Sequence, residues 1–116
     1  MSNKVFNKVS GDGGEEKAIS YLKKHGYKIL KTNFRTNIGE IDIIAKDGKE
    51  YVFVEVKFRS SDYFGRPSEA VNIYKQRKIR NVATIYINKN RLFNEICRFD
   101  VIEVLGNEIN HIQNCF

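Results

Sequence analysis

A hairpin signal near the middle of the chain constrains the fold more than any other feature. Residues 40–45 and 50–59 are rich in β-branched and aromatic side chains that alternate with polar ones, as in strands with two different faces. Between them stands Asp47-Gly48, a dipeptide that favours a two-residue turn between antiparallel strands. The sequence therefore predicts a β-hairpin whose turn residues are Asp47 and Gly48.

Two helices are predicted on either side of this hairpin. The first follows the loop of residues 11–14, has Glu15 and Glu16 in its first turn, and ends at Gly26. The second starts from a cap at Ser68 and reaches about residue 88. Its apolar stripe includes Ile79, Val82, Ala83 and Tyr86.

Three further segments have the composition of strands. They are residues 27–34, residues 96–105 and the shorter stretch 108–114 after the Gly106-Asn107 turn. The element order is then α-β-β-β-α-β, with a possible last β. Because a helix between two strands permits a parallel crossover while the hairpin stays antiparallel, this order predicts an α/β fold with a mixed central sheet flanked by helices.

Length and composition limit the class of protein. The 116 residues, 41% of them hydrophobic, predict a single domain over residues 1–116, with residues 1–13 as a flexible N-terminal segment. The apolar runs are far shorter than the ~20 residues that span a bilayer, so no membrane partner is expected. The N-terminus has no apolar signal-peptide region, which predicts a cytoplasmic protein in which Cys97 and Cys115 stay reduced.

The net charge of +6 is unevenly distributed. Residues 17–39 and residues 70–94 each contain six basic side chains and no acid, whereas residues 40–55 contain five acids. Two positive segments thus bracket an acidic hairpin. This arrangement suits a polyanion such as nucleic acid, held at a metal-binding centre, better than it suits adhesion to a membrane.

The acidic residues of the hairpin share one face. With the turn at Asp47 and Gly48, Asp42 lies opposite Phe53 and Glu40 lies opposite Glu55. Alternation then projects four charged side chains to one side, namely Glu40, Asp42, Glu55 and Lys57. The side chains of Asp42 and Glu55, as diagonal neighbours about 7–8 Å apart, could converge on one divalent cation. The alternative is a solvated polar face with an ordinary salt bridge from Lys57.

A metal ion beside a lysine has a clear chemical use at this position. The cation can polarise a phosphodiester oxygen and lower the pKa of a bound water, while Lys57 orients that water or stabilises developing negative charge. Carboxylate and carbonyl oxygens are the ligands that Mg²⁺ prefers. The pattern therefore indicates metal-dependent hydrolysis of phosphodiesters.

Several motifs in order resemble those of the YraN-like family of bacterial proteins. That family is similar to the PD-(D/E)XK superfamily with the restriction-endonuclease-like fold, close to archaeal Holliday junction resolvases. The matching segments cover most of the chain and are residues 14–18 (GEEKA), 39–45 (GEIDIIA), 52–57 (VFVEVK), 64–67 (FGRP), 69–71 (EAV) and 98–101 (RFDV). Ile41 stands where the superfamily often has proline before the aspartate.

The resemblance implies a role for each matching residue. Asp42 resembles the metal-binding aspartate, Glu55 the second acidic ligand and Lys57 the catalytic lysine of the superfamily. Glu15 resembles a first-helix glutamate that completes the acidic site, and the carbonyl of Val56 would be a further metal ligand. The implied activity is cleavage of DNA, including branched DNA such as Holliday junctions, with Mg²⁺ or Mn²⁺. The alternative is a non-catalytic nucleic-acid-binding or scaffolding module.

Other residues are weaker candidates. Glu40 is a possible additional acid, ranked below Asp42 and Glu55, and Glu16 competes with Glu15 for the first-helix role. Expected contacts with nucleic-acid phosphates come from the second helix and the loop before it, at Arg59, Arg66, Lys75, Arg77, Lys78 and Arg80. The helix residues could instead form an ordinary solvated face, and Arg59 and Arg66 could simply solvate a mobile loop. Glu15 could instead act only on the dipole of the first helix. Neither His25 nor His111 is expected to bind metal or act in catalysis. A homodimer is possible, and it would place two sites across two DNA strands.

Overall fold

The computed structural model describes residues 15–59 and 71–116. The elements there follow the predicted order α-β-β-β-α-β-β. Their bounds are residues 15–24 for α1, Lys28–Thr36 for β1, Gly39–Asp47 for β2, Glu50–Phe58 for β3, Ile73–Lys89 for α2, Ile96–Leu105 for β4 and Glu108–Ile112 for β5. Residues 1–13, the loop 11–14, Arg66 and Ser68, each the subject of a prediction, lie outside the described residues.

The five strands form one mixed sheet in the order β1-β2-β3-β4-β5. Neighbouring strands are antiparallel except β3 and β4, which are parallel and are connected through α2. The predicted α/β architecture with a parallel crossover is therefore confirmed. No helix in the described ranges is long and apolar enough to cross a bilayer.

Each helix covers a different face of the sheet. Ala18 and Leu22 of α1 are fully buried against the face that carries Ile43, Val52 and Val54. The predicted stripe of α2 is confirmed, since Ile79, Val82 and Ala83 pack on the opposite face with residues that include Ile44, Phe53 and Phe99. The alternation of the strands thus builds two cores, and the polar hairpin side chains share the α2 face with Ile44 and Phe53.

The turn of the hairpin lies one residue later than predicted. Its two central residues are Gly48 and Lys49, and the flanking Asp47 and Glu50 are paired. Gly48 has φ +62°, whereas Lys49 is not among the residues with positive φ. A type II′ turn requires glycine at its first central position. The backbone twist of this turn suits two antiparallel strands as well as the twist of the predicted Asp-Gly turn does. The predicted register was therefore wrong.

The corrected register changes which acids face each other. Ile43 pairs with Val54 and Ile44 pairs with Phe53, so the partner of each β2 residue moves by two positions along β3. A shift of two preserves the parity of alternation, so Asp42 and Glu55 stay on the α2 side, where both border one cavity. Ile41 departs from strict alternation, since it packs with Ile44 on the α2 side rather than with Ile43. The shift nevertheless brings Asp42 from a diagonal position to the position next to Glu55, one step beyond the last pair of the ladder.

Helix α2 begins at Ile73, four residues after the glutamate of the EAV motif. Asn72 is its N-cap, and its side-chain Oδ1 accepts a hydrogen bond from the Lys75 N–H at 2.9 Å. A continuous helix from Ser68 was wrong, since residues 71 and 72 are not helical. Serine and asparagine are comparable N-caps, so local sequence did not distinguish them.

Cys97 and Cys115 are both half-buried. They pack at the edge of the α2-side core, where cysteine acts as a small apolar residue.

Candidate active site

The candidate site lies where β2 and β3 diverge. The last paired residues of the β2–β3 ladder toward this end are Ile43 and Val54, and Asp42 and Glu55 follow directly. Asp42 Oδ2 accepts a hydrogen bond from the Val56 N–H at 2.8 Å, so a side chain of β2 binds the β3 backbone here. The contact fixes the Asp42 carboxylate beside Glu55, which is a buried residue. The structure therefore brings the two predicted metal ligands together.

Electrostatics at Asp42 favour the protonated form. Burial, with added repulsion from Glu55, Glu15 and Glu40, raises the pKa of Asp42 from its ordinary 3.8 to about 8. The hydrogen bond from Val56 opposes this rise but does not cancel it. A cation bound between the carboxylates would favour the ionised form and so lower this pKa.

Of the two neighbouring glutamates of α1, Glu15 lies on the side of the acidic site. Its charge acts on Asp42, whereas Glu16 is exposed and lines a separate cavity of about 710 Å³ beside Lys17, Tyr21 and Lys24. The first turn of α1 thus directs one acid toward β2 and the next toward solvent, as expected for adjacent helical positions.

Two basic side chains neutralise the acids, and neither is the one expected. Lys75 Nζ lies 2.6 Å from Glu55 Oε2, and Arg35 Nε lies 3.3 Å from Glu40 Oε1. The predicted opposition of Glu40 and Glu55 is absent in the corrected register. Glu40 instead pairs with Arg35 across the β1–β2 ladder. The salt bridge expected from Lys57 is formed by Lys75.

These side chains border a cavity of about 290 Å³ between the sheet and α2. Its walls are Gly39, Glu40, Asp42, Glu55, Lys75, Lys78, Ile79 and Val82. Gly39 allows β2 to approach α2 closely, since a Cβ there would lie 3.3 Å from Val82 Cγ2. Acids from the sheet therefore face basic residues from the first two turns of α2.

Lys57 lies on β3 two residues beyond Glu55, and so on the same face of the strand. Its side chain is half-buried. Within the described residues Lys57 forms no ion pair, whereas the lysine of α2 binds Glu55. Lys57 is not among the residues that line the cavity of Asp42 and Glu55.

Asp42 and Glu55 are the two described side chains that could hold a divalent cation, with water or substrate as further ligands. Among residues 15–59 and 71–116, no three His, Cys, Asp or Glu side chains are grouped closely enough to hold a metal by themselves. Mg²⁺ is usually bound through one or two carboxylates together with waters and substrate phosphates rather than in an all-protein cage. Asp42 and Glu55, with the Val56 carbonyl as a candidate third ligand, match that kind of open site.

The predicted phosphate-binding residues separate into two groups. Lys75 and Lys78 line the acidic cavity, and Arg77 is exposed on the same helix. The other two described residues make contacts within the fold. The guanidinium of Arg80 lies 4.9 Å from the centre of the Phe99 ring, and Arg59 Nη2 lies 2.6 Å from the fully buried Glu103. Arg59 therefore has a structural partner that the sequence did not indicate.

A buried polar network on the α1 side was not predicted. Asp100 is fully buried and accepts hydrogen bonds from Arg98 Nε at 3.0 Å, His111 Nε2 at 2.7 Å and the Asn114 N–H at 2.9 Å. His111 Nδ1 in turn lies 3.0 Å from the Tyr21 hydroxyl. An aspartate between Phe99 and Val101 in an apolar strand was the available signal. The role of His111 is to bind Asp100.

Comparison with known proteins places this chain among bacterial relatives of nearly equal length. Residues 14–104 match the family described as Uncharacterised protein family UPF0102. A UPF0102 protein of Clostridioides difficile strain 630 is 55% identical over 112 residues, covering 95% of this chain and 98% of the relative. Another from Caldicellulosiruptor saccharolyticus is 50% identical and covers 91% and 95%, and one from Geobacter metallireducens is 47% identical and covers 97% and 95%.

Proposed function

The chain belongs to UPF0102, an uncharacterised protein family that is the YraN family, and from this premise we propose that it is a metal-dependent DNA endonuclease. The observation that carries the proposal is the pair Asp42 and Glu55. Two carboxylates adjoin on neighbouring strands, in a cavity whose other wall is basic. Acids that repel each other in a partly closed cavity favour a cation, and lysines at its rim favour an anionic substrate.

Each residue has a proposed role. Asp42 and Glu55, with the Val56 carbonyl, would hold Mg²⁺ or Mn²⁺, and Glu15 would add negative charge behind Asp42. The bound metal would supply Lewis-acid activation of a phosphodiester oxygen and of a water. Lys57, which lies on the same face of β3 as Glu55, would orient the attacking water or stabilise charge on the phosphate.

The substrate is proposed to be DNA, with branched forms such as Holliday junctions preferred on the resemblance alone. Lys78 and Arg77 would contact phosphates next to the cavity, which positions a strand without reading its sequence. A homodimer would present two such sites to two strands.

The direct test is a cleavage panel on linear, flapped and four-way DNA. The full chain is incubated with Mg²⁺, Mn²⁺, Ca²⁺ or EDTA, and products are resolved on denaturing gels. We expect nicking of at least one substrate in Mg²⁺ or Mn²⁺ and none in EDTA. DNA binding without cleavage of any substrate in any cation would overturn the nuclease proposal.

Substitution of Lys57 separates its chemical role from binding. Lys57→Ala is expected to lower the cleavage rate on the order of 10²-fold, since a donor aimed at developing charge contributes that much, while DNA affinity changes by about twofold. Lys49→Ala is the matched control, because Lys49 is an exposed lysine in the hairpin turn at the other end of the strands. Equal rates for wild type and both variants would discredit Lys57 as a catalytic residue.

A second function is favoured by one observation. Glu55 already has a cationic partner in Lys75, at 2.6 Å, so the acidic pair does not require a metal for neutralisation. A protein with this arrangement could serve as a non-catalytic nucleic-acid-binding or scaffolding module. Binding of DNA with equal affinity in EDTA and Mg²⁺, and no cleavage, would identify that function.

A further inference from the structure

We propose that Lys75 occupies the cation position of the acidic site in the metal-free protein, and that a divalent metal displaces it toward the substrate phosphate. The inference rests on the proposed function because it concerns the same carboxylates. It adds a coupling between metal and DNA binding that a fixed ligand set would not have.

The contact of Lys75 has the geometry of a removable counter-ion. Its Nζ lies 2.6 Å from Glu55 Oε2, yet its side chain is 46% exposed while that of Glu55 is 8% exposed. The ammonium therefore reaches a buried carboxylate from the solvent side. Its backbone stays fixed when it leaves, because the Lys75 N–H is held by the Asn72 cap at 2.9 Å.

Lys75 and a metal cannot both occupy this position. An ammonium in contact with Glu55 would lie within a few ångströms of a divalent cation bound by Glu55 and Asp42, and the repulsion between the two is strong in a partly buried site. The metal has the larger charge and a second carboxylate in Asp42, which the structure holds beside Glu55 through the Val56 N–H. Displacement of Lys75 is the consequence.

The displaced ammonium has a destination at the rim of the same cavity. Lysine has a flexible stem and a compact charge, so it can move several ångströms without movement of the helix. Lys78 is one helical turn further on and borders the same cavity. The two lysines together would hold a phosphate that bridges to the metal. Metal and DNA would therefore each increase the affinity for the other, as reciprocal coupling requires.

The first experiment measures Mn²⁺ affinity by calorimetry without DNA. We expect Lys75→Met to bind Mn²⁺ on the order of tenfold more tightly than wild type, because the competing cation is gone. Lys78→Met is the matched control: it removes the same charge from the same cavity but not from Glu55, and its affinity is expected to change by only about twofold. Equal affinities in wild type and Lys75→Met would overturn the displacement while the metal site itself stands.

The second experiment follows metal binding in the wild-type protein, and a variant is needed only to assign the Lys75 resonance. Mg²⁺ is titrated while the lysine Nζ resonances are followed by NMR, with Lys75 assigned by comparison with Lys75→Arg. We expect the Lys75 resonance to lose its ion-pair signature with the midpoint of Mg²⁺ binding. An unchanged Lys75 resonance at saturating Mg²⁺ would refute displacement.

DNA binding in Ca²⁺ distinguishes the inference from the proposed function. In wild type, the metal is expected to increase DNA affinity on the order of tenfold, and in Lys75→Met this increase should largely disappear. If Lys75→Met retained the full metal-dependent increase in DNA affinity, only the proposed coupling would be contradicted, and the metal site would stand. Absence of Mn²⁺ binding by both wild type and Lys75→Met would instead refute the metal site and the displacement together.

Discussion

Replacement of Asp42 by asparagine is expected to stabilise the cation-free protein at pH 8 by about 1–3 kcal/mol and to lower metal-dependent cleavage on the order of 10³-fold. The opposite signs come from one cause. Asp42 is held beside Glu55 and near Glu15 and Glu40, so its ionised form is unfavourable without a cation. Asparagine keeps an oxygen for the Val56 N–H, and its amide can donate to the neighbouring carboxylates.

The gain in stability should depend on pH. The pKa of Asp42 is raised from 3.8 to about 8 on folding, so the folded protein binds more protons than the unfolded chain between these values. The stability of the wild-type protein due to this group therefore falls as pH rises from about 4 to about 8. An asparagine side chain does not titrate, so Asp42→Asn should gain over wild type at pH 8 and differ little at pH 5.

Urea unfolding at pH 5 and pH 8 in EDTA measures this difference, with Glu108→Gln as the control. Glu108 is an exposed carboxylate at the start of β5, and its substitution should change stability by less than about 0.5 kcal/mol at either pH. Added Mn²⁺ should raise the unfolding temperature of wild type but hardly that of Asp42→Asn. A variant destabilised equally at both pH values would show that Asp42 is not strained by its neighbours.

The faces of the hairpin were predictable although its register was not. Whether two side chains of a strand lie on the same face depends only on whether an even or odd number of residues separates them. A register error of two residues does not change this. Asp42, Glu55 and Lys57 therefore share the predicted face. The exact partner depended on whether Asp47 or Gly48 was the first turn residue, and both choices satisfy a two-residue turn. Only the conformation of Gly48 distinguishes them.

The basic partners of the acids depend on contacts between distant segments. The sequence places Lys75 on a basic helix, but its distance from Glu55 depends on how α2 returns across the sheet. That path follows from the close approach of Val82 to Gly39, which a local pattern does not contain. Arg59 similarly has the sequence context of a phosphate ligand, but its guanidinium binds Glu103, which is distant in sequence.

Replacement of Arg98 by methionine is expected to cost about 3–5 kcal/mol, which is a large share of the stability of a domain this size. Arg98 is 11% exposed and its guanidinium binds Asp47, Glu50, Asp100 and the Tyr27 hydroxyl. It therefore connects the hairpin end, β4 and the segment after α1. Methionine fills a similar volume but leaves Asp100 buried with one cation partner fewer.

Acid unfolding supplies a second measurement of the same network. Burial by itself would raise the pKa of Asp100, but hydrogen bonds from His111 and Arg98 outweigh it and hold the pKa below its ordinary value. The stability from this group is present above its unfolded pKa and is lost as pH falls through the folded value. Loss of Arg98 should raise the pKa of Asp100, so the variant should begin to lose stability at a higher pH than wild type.

A double-mutant cycle with Asp100→Asn shows whether the cost belongs to the Arg98–Asp100 pair. If removal of one partner is costly because the other stays buried and unneutralised, Asp100→Asn should cost less in the Arg98→Met background than in wild type. Arg35→Met is the matched control, since its pair with Glu40 is 47% and 40% exposed and should contribute less than about 1 kcal/mol. Additive costs in the cycle would place the effect of Arg98 in its contacts with Glu50 and Tyr27 instead. The energetic centre of the fold would then be the hairpin end, on the side of the sheet away from the candidate active site.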